Sequence, residues 1–482
     1  MNPLLSLPEL ILSVGAIALL MVAGWAGAKS VRIVSIAAVA LLVAACFAVA
    51  LPQVTGTGFG GLYRADAFSA FAKLLVFGAT AVCIIIAPRF FAANTHAQDG
   101  FAGGTLRPEY PVLILLSTAG AGMMISATDL LTLYVGLELQ SLASYVLASF
   151  MRRDTRSAEA GLKYFVLGAL ASGILLYGIS LTYGFTGTTA YTGIAKVFAA
   201  GLTTGQVFGL VFVFAGIAFK IAAVPFHMWT PDVYEGAPTP VTTLFATAQK
   251  VAAVAMLLRI AMGAMAPAVL EWRQIVIFAG LASIVLGAAG AIGQGNIKRL
   301  LAYSSINNIG FALLGLGAGT REGVAAMLTY MAVYVVMTLG SFLVILNMRD
   351  ADGRSVESIT SLGGLSQSRK GLAAALAIFM FSLAGIPPLF GFWAKFVVFD
   401  ALVGAGLWPL AAIGIAASVI GAFYYLKVIK IMYFDEPSDV LAGRTDRAEG
   451  MLITLCAVVI VAGYVMIPWL GAVTAAASTN LL

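Results

Sequence analysis

The chain has 482 residues, of which 61% are hydrophobic and 10% are charged, with a mean hydropathy of +1.00. This composition excludes a soluble globular protein and indicates a polytopic membrane protein. The net charge of +6 does not indicate nucleic-acid binding, because the basic residues stand singly between apolar runs, as topology signals do. The three cysteines are isolated and have no neighbouring histidine, so no metal site is predicted.

An all-α fold with about 14 transmembrane helices is predicted when about 20 apolar residues are taken as one crossing. The N-terminal stretch has no charged region and no small-residue cleavage site, so we expect it to be retained as the first span. In chain order the predicted spans are Glu9–Gly27, Val31–Leu51, Asp66–Ala87, Tyr110–Ala127, Asp129–Phe150, Ala158–Tyr183, Gln206–Glu235, Val241–Met265, Glu271–Ile292, Ile297–Leu316, Val324–Asn347, Gly371–Gly404, Leu407–Tyr433 and Met451–Leu470.

Prolines interrupt two of these spans. In the seventh span Pro225 follows Lys220, and in the twelfth span the pair Pro387 and Pro388 precedes Lys395. Proline cannot donate to the helix ladder and it crowds the preceding turn, so both helices are predicted to break. Unwound backbone at membrane depth is tolerated where it is buried or lines a cavity.

The loop charges predict the orientation of the chain. Lysine and arginine are concentrated in the loops that follow odd-numbered spans, and these loops are therefore predicted to be cytoplasmic. Both termini are then predicted to lie outside. The loops after even-numbered spans hold only Arg64, Lys196, Arg273 and Arg321.

A few charged residues lie inside the predicted spans. Glu138, Lys220 and Lys250 lie roughly 14, 21 and 15 Å from a span end at 1.5 Å per residue, so all three are near mid-depth. We expect the other basic residues that lie nearer the span ends to snorkel to the interface; these are Lys73, Lys163 and Arg259.

An ionisable residue inside the bilayer is by default a hypothesis about an ion or proton path. We interpret Glu138 as the partner of Lys220, in a pair that an arriving proton would loosen; the alternative is a carboxyl hydrogen-bonded for packing. Lys220 and Lys250, in dry sites with movable partners, are interpreted as proton-exchanging groups. The alternative is a permanently charged lysine that joins two helices.

The residues around the two breaks extend this polar row. Lys395 is interpreted as its terminal member, with an outward lysine paired with Asp400 as the alternative. His227 either shuttles protons or makes a hydrogen bond that satisfies the backbone groups released by the break. Asp232 and Glu235 form either a proton entrance or a solvated cytoplasmic end.

A weak internal similarity between Arg156–Phe165 and Arg321–Met331 predicts two inverted five-helix repeats, spans 4–8 and spans 9–13, each with a broken helix. The predicted divisions are an N-terminal three-span segment (1–109), the first repeat (110–265), the second repeat (266–433), and a C-terminal loop with span 14 (434–482). Near the position of Glu138, the second repeat is expected to have Tyr303, Ser304 and Ser305.

Several motifs carry a resemblance to a known family: FKIAAVPFHMWTPDVYEGAPTPV, TLFATAQKVA, GLEL, GNIKRLLAYSSINNIGF and AGIPPLFGFWAKF. They closely resemble the subunit N family of the bacterial proton-pumping NADH:quinone oxidoreductase, respiratory complex I, whose plan is shared by Mrp-type antiporter subunits. The resemblance implies an antiporter-like fold with a central axis of charged residues. Carried over by position, that axis would be Glu138, Lys220, Lys250 and Lys395, with Lys163 and His227 as accessories.

The resemblance also implies a function and a location. The chain would translocate protons without a redox centre of its own, while FMN, iron–sulfur clusters, NADH and quinone would be bound by other subunits. Its partners would be other membrane-arm subunits, including antiporter-like neighbours, and the lipid bilayer. It would lie in the bacterial inner membrane with both termini periplasmic. The alternatives are an Mrp-type cation/proton antiporter subunit and a structural anchor of the membrane arm.

Overall fold

The computed structural model describes residues 3–51, 54–93, 106–438, 440–442, 445–479 and 481, and these are mostly helical. The α-helices are α1 (Leu7–Ala26), α2 (Val31–Val49), α3 (Ala67–Ala93), α4 (Glu109–Ser126), α5 (Leu130–Ala148), α6 (Thr155–Thr186), α7 (Tyr191–Ala199), α8 (Thr204–Ile221), α9 (Trp229–Gly236), α10 (Thr239–Ala246), α11 (Ala248–Arg259), α12 (Val269–Ile292), α13 (Ile297–Gly317), α14 (Arg321–Leu346), α15 (Leu365–Ser368), α16 (Lys370–Ala384), α17 (Phe390–Gly404), α18 (Trp408–Phe434), α19 (Arg447–Ala462) and α20 (Ile467–Thr479). A short antiparallel hairpin, β1 (Gly56–Gly58) and β2 (Tyr63–Ala65), lies between α2 and α3.

The number of membrane crossings agrees with the sequence. Within the described residues, 12 helical stretches are long and apolar enough to cross a membrane. The first of them, Leu4–Val49, holds both α1 and α2, and the pair α16 and α17 forms one further, broken crossing. These two additions bring the number to the predicted fourteen, and the all-α polytopic fold is confirmed.

Side-chain caps fix where several long helices begin. The Asp129 carboxylate accepts from two backbone N–H groups at the start of α5, and Asn296 does the same for α13. Thr203 and Gln206 form a capping box at the start of α8. These side chains satisfy backbone donors that the first helical turn leaves without partners.

The predicted break in the seventh span is present. α8 ends at Ile221 and α9 begins at Trp229. The Trp229 indole Nε1 donates to the Phe219 carbonyl at 3.0 Å, and the Val224 backbone N–H donates to Ser283 Oγ at 2.9 Å. The backbone groups that the break releases therefore find partners inside the protein, as membrane depth requires.

The predicted break in the twelfth span is present as well. α16 ends at Ala384, and the left-handed Gly385 (φ 85°) follows it before α17 begins. The Gly391 N–H donates to Ser382 Oγ at 3.0 Å. A Cβ atom on Gly391 would lie 2.0 Å from the Ser382 carbonyl oxygen, so only glycine fits where the two half-helices meet.

Some features were not predicted from the sequence. The eighth span is interrupted at Thr247 (φ −119°, ψ −85°), whose Oγ1 donates to the Thr243 carbonyl at 2.6 Å. Hydroxyls that bond back to the preceding turn bend helices in this way. A π-helical turn, Ile260–Ala264, follows α11, and a 3₁₀ turn, Gly463–Met466, separates α19 from α20 in the last span.

The order of elements recurs along the chain. α4 with α5 and α12 with α13 form helix hairpins, each followed by a long helix and a broken one. A Cβ on Gly120 would lie 2.6 Å from the Gly136 carbonyl, and a Cβ on Gly310 would lie 2.6 Å from the Gly280 carbonyl. Both hairpins therefore close through glycines that let the two helix backbones approach each other. The division at residues 110–265 and 266–433 stays a prediction.

Candidate functional site

Lys220 lies in the last turn of α8, directly before the first break, and is 9% exposed. Its Nζ donates to Ser141 Oγ on α5 at 2.8 Å and lies 5.9 Å from the centroid of the Tyr164 ring. Ser141 Oγ donates in turn to the Leu137 carbonyl at 2.6 Å. The ammonium group is therefore held by a hydroxyl and an aromatic face, and the residue lies in the last turn of a half-helix, where the helix dipole favours a cation.

Glu138 lies one turn before Ser141 on α5 and accepts a hydrogen bond from Ser172 Oγ on α6. The Tyr134 hydroxyl lies 2.9 Å from the same Ser172 oxygen. Glu138 and Lys220 form no ion pair within 4.0 Å, so the direct contact expected between them is absent. Instead, Ser172 and Ser141, the partners of the two charges, line one small cavity between α5, α6 and α8 together with Lys220.

Lys250 is 2% exposed and lies on α11, three residues after the interruption at Thr247. Its Nζ donates to Ser305 Oγ on α13 at 2.6 Å. The Ser305 hydroxyl lies 2.8 Å from the Tyr334 hydroxyl on α14. Three helices thus meet at this lysine through hydroxyl groups.

Polar side chains occupy the space between α5 and Lys250. Gln249 Nε2 donates to Ser144 Oγ at 2.6 Å and lies 3.3 Å from Ser117 Oγ. The side-chain amide of Gln140 is fully buried, and neither of its polar atoms has a partner among the described residues. Sequence reasoning missed these residues, although Gln140 and Ser144 lie four residues apart and so share one face of α5.

A second polar network lies among α13, α14 and α18. Asn308 Nδ2 donates to the Tyr425 hydroxyl at 3.1 Å, and the Tyr330 hydroxyl donates to Asn308 Oδ1 at 2.7 Å. Ser304 Oγ also hydrogen-bonds to Tyr425. The serines that the internal similarity puts near the position of Glu138, Ser304 and Ser305, thus both join hydrogen-bonded networks in the second half.

Lys395 lies on α17, after the second break, and is 7% exposed. Its Nζ donates to the Ala384 carbonyl and to Ser418 Oγ, both at 3.0 Å, and lies 4.5 Å from the centroid of the Phe311 ring. Ala384 is the last residue of α16, so this lysine also meets the C-terminal end of a half-helix. Asp400 is exposed and does not pair with it.

Lys163 and His227 have different surroundings. Lys163 is 40% exposed, and its Nζ lies 2.8 Å from Asp232 Oδ2 and 2.6 Å from Glu159 Oε1. This is the snorkelling position that the sequence predicted for it. His227 is half-buried in the first break, and its Nδ1 has no hydrogen-bond partner among the described residues.

Ion pairs surround the ends of α6, α9 and α13. Arg156 Nη2 donates to Glu357 Oε2 at 2.7 Å, and Lys298 Nζ lies 3.2 Å from Glu357 Oε1. Burial alone would raise the pKa of Glu357, but Lys298 and Arg156 lower it to about 2. Asp232 and Glu235, the two candidate entrance residues, line a polar cavity beside this cluster.

Lys73 and Arg259 do not snorkel as expected. Lys73 is 2% exposed and lies 2.6 Å from Glu9 Oε1. Arg259 is 3% exposed and donates to both carboxylate oxygens of Asp66, at 2.6 and 2.9 Å. The Tyr63 hydroxyl joins the first pair, because it donates to Glu9 at 2.7 Å and accepts from Lys73 at 2.7 Å. Buried ion pairs therefore hold α3 to α1 and, through Arg259, to α11.

Within the described residues, fourteen crossings, of which the seventh and the twelfth are broken beside buried lysines, define a transporter-like α-helical membrane protein. A family model described as NADH:quinone oxidoreductase/Mrp antiporter, transmembrane, matches residues 127–421. The chain belongs to this family, which confirms the resemblance seen in its motifs.

Relatives match along the whole chain. It is 65% identical over 480 residues to the NADH-quinone oxidoreductase subunit N of Rhizorhabdus wittichii, covering 99% of this chain and 98% of the relative. The subunit N of Sphingopyxis alaskensis is 59% identical over 477 residues, covering 98% of each.

Solved structures share the fold. A chain of respiratory complex I from Thermus thermophilus with bound aureothin has a TM-score of 0.82 and 30% identity, covering 97% of this chain and 99% of that one. A chain of the Mrp complex from Dietzia has a TM-score of 0.86 at 22% identity, covering 99% and 97%, and this likeness concerns the fold alone.

Proposed function

We propose that the chain is a proton-translocating subunit of the membrane arm of a bacterial NADH:quinone oxidoreductase. It carries no redox centre, and NADH, FMN, iron–sulfur clusters and quinone are bound by partner subunits. The names of relatives that match almost the whole chain support this assignment. Proton translocation is supported by one observation: each charged residue of a polar row hydrogen-bonds to a serine hydroxyl. The row consists of Glu138, Lys220, Lys250 and Lys395.

The hydroxyl partners favour proton exchange over a permanent ion pair. A carboxylate partner stabilises only the ammonium form of a lysine, and breaking such a buried pair leaves an uncompensated charge. A serine hydroxyl both donates and accepts, so it can hydrogen-bond to a charged or a neutral lysine. Ser141, Ser305 and Ser418 give Lys220, Lys250 and Lys395 this property.

A proton arriving at Glu138 neutralises its carboxylate, which then attracts the Lys220 ammonium less strongly. The proton that Lys220 releases passes along the hydrogen-bonded side chains of Gln249, Ser144 and Ser117 to Lys250. From Lys250 it passes through Ser305 and the polar network among α13, α14 and α18 to Lys395. The Gln140 amide, which is buried two residues after Glu138 on α5, is the kind of group that ordered water satisfies in proteins.

The remaining candidates have accessory roles in this proposal. The cavity lined by Lys163, Asp232 and Glu235 is the entrance from the cytoplasm. His227 sits in the first break, where its half-buried ring can pass a proton. The chain lies in the inner membrane with both termini periplasmic, next to other membrane-arm subunits that include antiporter-like neighbours.

The test compares Lys220→Met and Lys250→Met with Lys196→Met, which removes an exposed lysine on α7. Each variant is expressed in the whole complex, and its assembly is checked on native gels. The NADH oxidation rate and the acidification of inverted membrane vesicles are then measured together. Protons moved per NADH should fall several-fold in the first two variants and stay unchanged in the third. Normal pumping by both buried-lysine variants would refute the proposal.

Two other functions have distinct outcomes in the same vesicles. An Mrp-type antiporter subunit would exchange protons for sodium or potassium without NADH. A structural anchor would pump normally in every lysine variant, whereas truncations would abolish assembly. Purification of the chain with a peripheral flavin and iron–sulfur arm would support the oxidoreductase.

A further inference from the structure

An apolar groove runs along the outer face of the molecule between α16 and α19, with a volume of about 510 Å³. Hydrocarbon side chains form most of its walls, so its natural occupant is itself hydrocarbon. The wall residues include Leu372, Ala375 and Ile378 of α16 and Ile453, Ala457 and Val461 of α19.

The length of the groove matches one leaflet of a bilayer. Its lining on α19 runs from Gly450 to Ala462, which is roughly 18 Å at 1.5 Å per residue. Half of the hydrocarbon core of a bilayer is roughly 15 Å thick. One end of the groove therefore lies at the membrane surface and the other near the middle of the bilayer.

The surface end of the groove is basic. Thr445 and Gly371 line this end, and Arg369 Nη2 donates to Thr445 Oγ1 at 3.4 Å. Lys370, the next residue, is exposed and makes no ion pair among the described residues. Arg369 and Lys370 follow the eleventh predicted span, and Thr445 follows the thirteenth. Loops after odd-numbered spans are predicted to face the cytoplasm.

Two further arginines, Arg89 and Arg349, lie near Arg369. Among the described acids, only Glu449 forms an ion pair with one of these arginines, namely Arg89. Arg349 is 5% exposed, its Nε donates to the C-terminal end of α14, and its Nη2 has no partner among the described residues. Burial and the charge of Arg89 lower the pKa of both Arg349 and Arg369. This end of the groove thus carries positive charge that the described acids do not balance.

We infer that the groove between α16 and α19 binds an anionic phospholipid, with an acyl chain along the apolar walls and the phosphate beside Arg369 and Lys370. Basic pockets between transmembrane helices on the cytoplasmic side bind such headgroups, and guanidinium groups pair well with phosphate. A helix of a partner subunit would cover the apolar walls but would make no use of the cationic end. Charge complementarity therefore favours the lipid.

The test measures lipid retained by the purified complex. Intact complexes are washed with detergent and reconstituted with an equimolar mixture of phosphatidylglycerol and phosphatidylcholine. The lipid that remains bound after a second wash is quantified by mass spectrometry. One variant carries Arg369→Gln with Lys370→Gln, and a second carries Ala457→Trp to fill the groove. The control carries Arg152→Gln with Arg153→Gln, an equal loss of charge at another predicted cytoplasmic loop.

The wild-type complex and the control should retain phosphatidylglycerol preferentially. Both groove variants should retain several-fold less, and the tryptophan variant should do so with every charge intact. Equal retention of the two lipids by the wild type, or unchanged retention in both groove variants, would overturn the inference. So would disulfide cross-linking of an Ala457→Cys variant to a neighbouring subunit, because the groove would then be a subunit interface.

Discussion

Removal of Lys73 should destabilise the N-terminal part of the chain more than removal of any exposed lysine. The Lys73 and Glu9 side chains are 2% and 5% exposed and lie 2.6 Å apart. In Lys73→Met the Glu9 carboxylate keeps only the Tyr63 hydroxyl bond. Losing one partner of a buried pair costs about 3–5 kcal/mol. Because the stranded carboxyl can take up a proton, we expect the low end, about 3 kcal/mol, which is roughly a hundredfold in the folding equilibrium.

The measurement is denaturant unfolding of the purified chain in detergent, followed by helical circular dichroism. Lys29→Met, which removes an exposed lysine near the end of α1, is the matched control. The double variant Glu9→Gln with Lys73→Met removes both charges and should recover most of the loss, since no charge is left buried. The reasoning fails if Lys73→Met unfolds at the wild-type denaturant concentration, or if the double variant is less stable than the single one.

Two further predictions concern the second break and the charged cluster. Gly391→Ala puts a Cβ 2.0 Å from the Ser382 carbonyl oxygen, so it should destabilise the chain by about 1–3 kcal/mol and lower its thermal midpoint. The control Gly404→Ala meets open space and should leave the thermal midpoint unchanged. Equal thermal midpoints for the two variants would contradict this prediction. The pKa of Glu357 is lowered to about 2, mainly by Lys298 against the effect of burial. Its stabilisation, on the order of 3 kcal/mol, is therefore present above its unfolded-state pKa and is lost as pH falls towards 2. Unfolding measured between pH 6 and pH 3 should show a decline that Glu357→Gln reduces, and identical pH profiles would contradict the assignment.

Local signals in the sequence were enough for the crossings and the breaks. An apolar run long enough to span a bilayer has few other uses, and the prolines at 225, 387 and 388 cannot continue a helix. The buried lysines of the row were found for the same reason, since a charge in the middle of an apolar run stands out. The interruption at Thr247 was missed because threonine is tolerated inside many helices, and the sequence does not show that its hydroxyl bonds to the Thr243 carbonyl.

The partners of the buried charges could not be predicted, because they come from segments that are distant in the sequence. Lys73 seemed free to snorkel because Glu9 is far away in sequence and lies at the start of its own span. Glu138 and Lys220 were expected to touch because their depths agree, but depth does not give the rotation of a helix about its axis. That rotation directs Lys220 to Ser141. Serines are frequent in apolar spans, so nothing in the sequence distinguished those that bind a lysine.

If the proposed function holds, the hydroxyl partners determine how proton exchange at these lysines would proceed. When the Lys395 ammonium, which is bonded to Ser418, loses a proton, the resulting amine can accept from the same hydroxyl, so the hydrogen bond reverses its direction while the heavy atoms stay in place. At Lys395 the amine still has two N–H bonds, one of which can remain on the Ala384 carbonyl. In the proposed mechanism a proton can therefore pass through this position without any side-chain displacement. Its signature is a change in the ¹⁵N chemical shift of a labelled lysine against an unchanged backbone spectrum.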